Sequence, residues 1–206
     1  IQNCGQTCSA ASRVLVEQSI YENLTARLAK IFSALQAGPA FSDLACGPLI
    51  SPKQKTRLGK YLEEAKADRL NFAAEGVIVD DAPSGGNYVK PMLLRDVPPD
   101  HAVAQEELFG PILAVMPFQD EEEAVELANG TPFGLVSGVW TQDGARQFRM
   151  ARKLKSGQIF INNYGAGGGV ELPFGGVKLS GHGREKGFEA LYGFSVTKTI
   201  AFHHGE

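Results

Sequence analysis

Short apolar segments alternate with amphipathic segments along the chain, and this alternation limits the possible folds more than any other feature. Three of the apolar segments, each followed by a helix-like segment, are RVLVE at 13–17, PILAVMPF at 111–118 and LVSGVW at 135–140. A further strand-like segment, QIFIN, follows at 158–162. Strand–helix–strand units of this length predict an α/β fold, with a mostly parallel sheet and flanking helices.

The helix-like segments carry start signals that fix where they begin. The segment 19–38 repeats apolar residues every three to four positions, which is the period of one helix face. A second helix is expected after Ser51, a favourable N-cap, with Pro52 in its first position. A third is expected after Asp120, which precedes three glutamates that suit the helix dipole, and a fourth has Asp143 near its start.

Composition excludes several classes of function. The 206 residues fit one domain with or without a small appendage, and a 43% hydrophobic fraction is ordinary for a globular protein. A net charge of −3 without a long basic run argues against a nucleic-acid partner. No apolar stretch approaches the roughly 18 residues of a membrane helix. Three cysteines are too few for a disulfide framework, so a reducing, cytoplasmic location is expected.

The segment CGQTC places Cys4 and Cys8 four residues apart, which leaves several kinds of chemistry open. Zinc would need more ligands at suitable spacing, whereas a disulfide at this spacing is possible but unforced. A buried, inert cysteine is the usual alternative. Around Cys8, however, Thr7 and Ser9 leave the thiol uncrowded, and a helix starting at Ser9 would favour a thiolate.

Two further segments are unusual. In QEELFGP, at 105–111, paired glutamates precede an abrupt turn into a strand. This segment is either an acidic surface with a core phenylalanine, or a carboxylate for a sugar diol beside an aromatic for a flat ring. The segment 162–187 is rich in glycine directly after a strand, and ordering it would be costly unless its backbone must pass close to something. That composition suits the wall of a pocket.

Taken together, these motifs resemble those of the aldehyde dehydrogenase superfamily. GQTC, GPLIS, EELFGPIL, NGTPFGL, the glycine before IFINN, and PFGGVKLSGHGREKG occur in order over nearly the whole chain. The resemblance covers only the C-terminal part of such an enzyme. It implies an incomplete, nucleophile-bearing catalytic domain at 1–194 and a C-terminal strand at 195–206 that pairs between subunits. It also implies that the dinucleotide-binding domain is absent from this chain.

The resemblance further implies which residues act, and with which cofactor. NAD or NADP would accept a hydride while an aldehyde is oxidised to an acid, and no metal is expected. Cys8 would be the nucleophile, with its backbone N–H as an oxyanion donor. Glu107 would hold the nicotinamide ribose and Phe109 would pack near the nicotinamide. The substrate pocket would be lined by residues on both sides of the nucleophile and in the glycine-rich segment: Thr7, Ser9, Asn162, Gly168 and Phe174.

The resemblance also implies that some catalytic groups of the family are missing from this chain, and it leaves alternative functions open. The family's general-base glutamate motif and side-chain oxyanion donor are not found in this sequence, so the isolated chain is expected to be inactive as a dehydrogenase. A structural or oligomerisation role, or a thiol esterase or acyltransferase, remains possible. In the complete enzyme we expect a homo-oligomer. Small residues at Ala166, Gly167 and Gly168 favour a bulky or aromatic aldehyde, and the lack of a cation in this loop disfavours a semialdehyde acid.

Overall fold

The computed structural model describes residues 1–165 and 169–205, and it separates into two compact units, Ile1–Thr131 and Pro132–Glu206. The elements of the first unit are, in chain order, β1 (Arg13–Glu17), α1 (Gln18–Ser33), β2 (Gln36–Ala37), α2 (Pro52–Ala67), β3 (Asn71–Glu75), β4 (Val77–Ile78), β5 (Met92–Arg95), α3 (Ala102–Gln105), β6 (Ile112–Phe118) and α4 (Glu121–Asn129). Short 3-10 turns lie at Gln2–Gly5 and Ala40–Ser42.

The first unit is built on a four-stranded sheet in the order β1-β6-β5-β3. Strand β6 pairs in parallel with both β1 and β5, and only β3 joins antiparallel. Strands β2 and β4 form a separate short parallel pair. The expectation of an α/β fold with a mostly parallel sheet is therefore confirmed.

Apolar side chains cover both faces of this sheet. Met92 and Leu94 of β5 belong to one buried cluster, whereas Leu93 between them belongs to another. Strand β6 divides in the same way, with Ala114 on one side and Val115 on the other. Because successive strand residues point to opposite faces, continuous apolar strands such as these require cover on both sides.

The helices begin where the capping signals predict. The hydroxyl of Ser51 accepts a hydrogen bond from the Gln54 N–H, and Pro52 occupies the first turn of α2. Asp120 accepts from two backbone N–H groups at the start of α4. Asp143 accepts from the Arg146 N–H and caps α5. These side chains satisfy amide groups that a helix end leaves unpaired.

The second unit contains β7 (Phe133–Gly134), β8 (Val136–Val139), α5 (Gly144–Lys153), β9 (Gln158–Ile161), β10 (Val177–Lys178) and α6 (Glu189–Gly193). Strands β8 and β9 pair in parallel, and β7 pairs antiparallel with β10. Across the described parts of both units, no helix is long and apolar enough to cross a membrane.

Three local expectations differ from the structure. No helix begins at Ser9, because the chain makes a turn there and enters β1 four residues later. Helix α1 ends at Ser33 rather than near Gly38, since Gln36–Ala37 forms strand β2 and pairs with β4. Residues 195–205 form no strand within this single chain, where they find no ladder partner. A β-ladder needs two strands, so pairing of this segment between subunits stays a prediction.

Candidate functional site

Cys8 lies in an exposed turn that joins the first 3-10 turn to β1. The Ala10 N–H donates to the Thr7 carbonyl at 2.8 Å and closes this turn around Cys8. The Cys8 thiol is free and exposed, while Thr7 and Ser9 on either side are half-buried. The arrangement presents an accessible sulfur on an ordered backbone, without the helix N-terminus that the sequence suggested.

Cys4 and Cys46 have a contrasting environment. Both are buried in the core of the first unit, and both are free thiols. A hydrogen bond with the Cys46 sulfur, followed by burial, raises the pKa of the Cys4 thiol far above its ordinary value. A Cys4–Cys8 disulfide is absent, so the open alternatives for Cys4 reduce to a packed core thiol. Among the described residues no cluster of three or more His, Cys, Asp or Glu side chains could hold a metal.

The turn before Cys8 packs against the segment that follows Glu107. Asn3, Cys4 and Gly5 have φ angles of 51°, 56° and 73°, so three consecutive residues are left-handed. A Cβ atom placed on Gly5 would lie 2.0 Å from the Gly110 carbonyl oxygen, which only a glycine avoids. The GQTC and EELFGP motifs, a hundred residues apart, therefore meet in space.

Parallel strand pairing explains why these two motifs meet. Each motif precedes a strand: four residues separate GQTC from β1, and EELFGP ends immediately before β6. The strands are neighbours in parallel register, with Arg13 opposite Ala114, and the Ala114 N–H also donates to the Ser12 carbonyl at 3.0 Å. Segments before adjacent parallel strands reach the same edge of the sheet. The candidate residues thus lie at the amino ends of these strands.

Side chains of the first turns of α2 form hydrogen bonds with the segment that carries Glu107 and Phe109. The Gln54 amide nitrogen donates to the Leu108 and Phe109 carbonyls at 2.9 and 3.0 Å. The Arg57 guanidinium donates to the Glu107 carbonyl at 2.9 Å and to the Leu108 carbonyl at 3.3 Å. Phe109 is left-handed, with φ of 57°, and a strained residue of this kind needs such support.

These contacts leave the side chains of the segment available. The Glu107 side chain is exposed, and within the described residues its carboxylate has no hydrogen-bond or ion-pair partner. Phe109 is half-buried. A carboxylate and an aromatic side chain thus project from one fixed turn, a combination that can bind a diol and a flat ring.

Sequence reasoning missed Gln54 and Arg57. The signal was present, since both follow the GPLIS motif and stand three residues apart, on one face of a helix. That spacing does not identify their partners, which are backbone carbonyls 50 or more residues away. Every residue has a backbone carbonyl, so the sequence does not indicate which one is bonded.

The remaining candidate residues lie in the second unit. Asn162 follows β9 with φ of 51°, and its amide bonds both backbone groups of Thr141, at 2.9 and 3.0 Å. Phe174 is half-buried, pairs with Glu185 through two backbone hydrogen bonds, and has the Lys186 ammonium 5.6 Å from its ring centre. Gly168 lies outside the described residues, as do Ala166 and Gly167.

The chain is similar to known proteins over nearly its whole length. A model of the aldehyde dehydrogenase family matches residues 1–200. The chain is 41% identical, over 95% of its length, to a betaine aldehyde dehydrogenase of Cereibacter sphaeroides, and 38% identical, over 98%, to the aldehyde dehydrogenase citD of Monascus ruber. It spans 40% and 41% of those two proteins.

Solved structures give the same result. A crystal structure from Burkholderia cenocepacia, described as a candidate aldehyde dehydrogenase, shares 64% identity and superposes with a TM-score of 0.94 over 98% of this chain and 42% of its own. An NAD⁺ complex of a Staphylococcus aureus betaine aldehyde dehydrogenase shares 35% identity, with a TM-score of 0.89 over 95% of this chain and 39% of its own.

Proposed function

Because this chain belongs to the aldehyde dehydrogenase family, we propose that it supplies the nucleophile and the nicotinamide-side residues of an NAD(P)-dependent aldehyde dehydrogenase. The observation that supports this most is the contact of Gly5 with Gly110. It brings the turn with the accessible Cys8 thiol to the segment that carries Glu107 and Phe109. An idle structural fragment would have no need for an accessible sulfur, an exposed carboxylate and an aromatic side chain at one edge of a sheet.

Cys8 carries the covalent part of the proposed reaction. Its thiolate attacks the aldehyde carbonyl carbon, and the carbonyl oxygen becomes an oxyanion that the Cys8 backbone N–H stabilises. Loss of a hydride from the tetrahedral adduct leaves a thioester on the same sulfur. Water then attacks the thioester carbon, the carbon–sulfur bond breaks, and the thiolate leaves with release of the carboxylic acid.

Glu107 and Phe109 suit the nicotinamide half of the cofactor. An unpaired, exposed carboxylate can accept hydrogen bonds from both hydroxyls of a ribose, and a half-buried aromatic can contact a flat ring. The bound cofactor would supply a hydride acceptor. Gln54 and Arg57 fix the carbonyls of this turn and so orient its two side chains. Related enzymes from Staphylococcus aureus and Bacillus cereus have been solved with NAD⁺.

The substrate class we propose is a small-molecule aldehyde. Several relatives are named betaine aldehyde dehydrogenases, and the small residues at 166–168 favour room for a bulky or aromatic group. The free state of all three cysteines suits a reducing compartment.

A second copy of the protein is the proposed partner of the C-terminal segment. Residues 195–205 are exposed in the single chain, and their large apolar side chains include Val196, Ile200 and Phe202. An extended segment with unpaired backbone groups is suited to adding a strand to another sheet.

Substitution of the cysteines tests the proposed function directly. In the complete enzyme containing this chain, Cys8→Ala should abolish both aldehyde oxidation and nitrophenyl ester hydrolysis. Cys4→Ala should keep most of the activity after correction for the fraction folded. Glu107→Gln should slow NADH formation far more than ester hydrolysis. Full turnover by Cys8→Ala would refute the nucleophile, and equal loss of both activities in Glu107→Gln would refute the separation of roles.

The isolated 206-residue chain provides a further test. It should not oxidise aldehydes, because a missing oxyanion donor typically costs about 100- to 1000-fold in rate, and a missing general base costs roughly another 100- to 10,000-fold. The assay follows NADH absorbance with NAD⁺ or NADP⁺ and an aldehyde panel. Burst hydrolysis of an ester without NADH formation would instead favour the thiol esterase alternative.

A further inference from the structure

The side chain of Gln6 joins the turn before Cys8 to a segment 44 residues further along the chain. Its amide oxygen accepts from the Ile50 N–H at 2.8 Å. Its amide nitrogen donates to the Pro48 carbonyl and to the Asn3 carbonyl, both at 3.3 Å. The oxygen and the nitrogen of the Gln6 side-chain amide thus both form hydrogen bonds. The backbone of the GPLIS motif donates to one and accepts from the other, as it would with a neighbouring β-strand.

Gln6 also closes the left-handed turn that precedes it. Its backbone N–H donates to the Asn3 carbonyl at 3.0 Å, and the Asn3 side-chain amide donates to the Gln6 carbonyl at 3.0 Å. Asn3 and Cys4 both have positive φ angles, which are unfavourable for residues other than glycine. Strained conformations of this kind persist only where the surrounding structure fixes them. Three groups of Gln6, its backbone N–H, its carbonyl and its side-chain amide nitrogen, bond Asn3 and help to fix this conformation.

On its amino-terminal side, Cys8 is preceded by the buried Cys4, by the contact of Gly5 with Gly110 and by the bonded Gln6 side chain. No helix carries it, and only Thr7 stands between Gln6 and the nucleophile candidate. On the carboxyl side the backbone is fixed by β1, where the Arg13 guanidinium also donates to the Leu127 and Ala128 carbonyls. The Cys8 turn is therefore held by β1 after it and, before it, by the packing of Cys4 and Gly5 together with the hydrogen bonds of Gln6.

We propose that Gln6 is a positioning residue for Cys8: its side-chain amide holds the turn to residues 48–50 and thereby fixes where the thiol lies. This inference rests on the proposed function, because a position matters only if Cys8 reacts. Glutamine is the one common side chain of this length with a donor and an acceptor at its tip. Glutamate keeps the acceptor for Ile50 but loses both donors, and methionine keeps only the length.

The test uses Gln6→Glu and Gln6→Met in the complete enzyme, with Gln105→Glu as a matched control. Gln105 also donates its amide to two backbone carbonyls, those of Pro99 and Gly130, so its substitution removes the same number of donors away from the Cys8 turn. The measurements are kcat, the KM values for the aldehyde and for NAD(P)⁺, the rate constant for alkylation of Cys8 by iodoacetamide, and Tm.

Both Gln6 variants should lower kcat and the alkylation rate by roughly 10- to 100-fold, as a displaced reacting group does. KM for NAD(P)⁺ should change less than about twofold. Gln105→Glu should lower Tm to a similar degree while leaving the alkylation rate of Cys8 within twofold of the wild type. Equal loss of Cys8 reactivity in the control, or unchanged reactivity in both Gln6 variants, would overturn the inference.

Amide hydrogen exchange in the unmodified protein keeps the inference testable if the variants do not fold. Ile50 is 83% exposed, and among the described residues the acceptor shown for its N–H is the Gln6 side chain. Slow exchange of the Ile50 N–H supports its hydrogen bond to the Gln6 side chain, and exchange at the rate of an open loop refutes it. A failure of the proposed function would look different, because Cys8→Ala would then retain turnover whatever Gln6 does.

Discussion

In the unit Ile1–Thr131 both faces of the central sheet are covered by buried apolar side chains, whereas in the unit Pro132–Glu206 every residue of β8 and β9 is only half-buried. Large apolar side chains such as Trp140 and Phe148 are mostly exposed in the second unit. Among its described residues, the buried apolar ones are Met150, Leu154 and Ala190.

This difference bears on how each unit can hold functional residues. In the first unit the segments around Cys8 and Glu107 precede the paired strands β1 and β6, and five of the seven residues of β6 are buried, so packing fixes the edge on which these segments lie. The second unit, like the first, contains close backbone contacts at glycines. A Cβ atom on Gly157 would lie 1.7 Å from the Gly175 carbonyl oxygen, and one on Gly134 would lie 2.4 Å from the Lys155 carbonyl oxygen.

The largest loss of stability should come from a substitution in the core of the first unit. Leu94 is fully buried, so Leu94→Ala should lower the free energy of unfolding by about 2–5 kcal/mol through lost burial and a residual cavity. Phe148 of the second unit is 72% exposed, and Phe148→Ala should change stability by less than about 0.5 kcal/mol. Urea denaturation measures both. A comparable loss in Phe148→Ala would mean that this side chain is covered in the protein and would remove the contrast.

A smaller effect is expected at the glycine contact of the second unit. Gly157→Ala forces the Gly175 carbonyl away and should cost about 1–3 kcal/mol, as overpacking does. Gly59 in α2 serves as the control, since a Cβ atom there meets no other atom, and Gly59→Ala should stabilise by about 0.5–1 kcal/mol. Thermal unfolding of both variants compares them. Equal and small effects would show that the second unit does not depend on this contact.

Removing a helix-capping side chain should lower stability by a smaller amount, and this loss should differ between the two units. Asp120→Ala in the first unit removes an acceptor from two backbone N–H groups, and Asp143→Ala in the second removes one. Each should cost roughly 0.5–2 kcal/mol, with Asp120 nearer the upper end. Asparagine at either position should restore most of the loss, because its carbonyl oxygen is also an acceptor. A larger loss at Asp143 would reverse the expected order.

The smallest effect should come from a surface ion pair of the first unit. The Arg95 guanidinium lowers the pKa of the Glu22 carboxyl and has its own pKa raised by it. A depressed carboxyl pKa stabilises the fold above the unfolded-state pKa, and that contribution disappears as the pH falls through the folded-state value. Glu22→Gln should therefore be slightly less stable at neutral pH and equal to the wild type in acid. Thermal unfolding against pH measures this.

Glu63→Gln provides the control for that titration. Glu63 is an exposed glutamate on α2 that takes part in none of the ion pairs found among the described residues. If the pH dependence of stability in Glu22→Gln matches that in Glu63→Gln, the Arg95 pair makes no measurable contribution.

Much of the local structure could be predicted because its signals are themselves local. Ser51, Asp120 and Asp143 each bond the first turn of their own helix, and the strand-like segments of the first unit became β1 and β6. A helix starting at Ser9, considered as one way to favour a thiolate, does not form. Ser9 lies in a turn, and the predicted strand begins at Arg13.

The amino-acid sequence determined the alternation of strands and helices, the capping residues, and the motifs that carry the family, since each of these depends on neighbours a few positions apart. Tertiary structure alone decided that Gly5 meets Gly110, that Gln54 and Arg57 hold the turn of Phe109, and that Gln6 bonds residues 48 and 50. The partners in these contacts are backbone carbonyls and amides, which every residue carries, so only the folded chain selects among them.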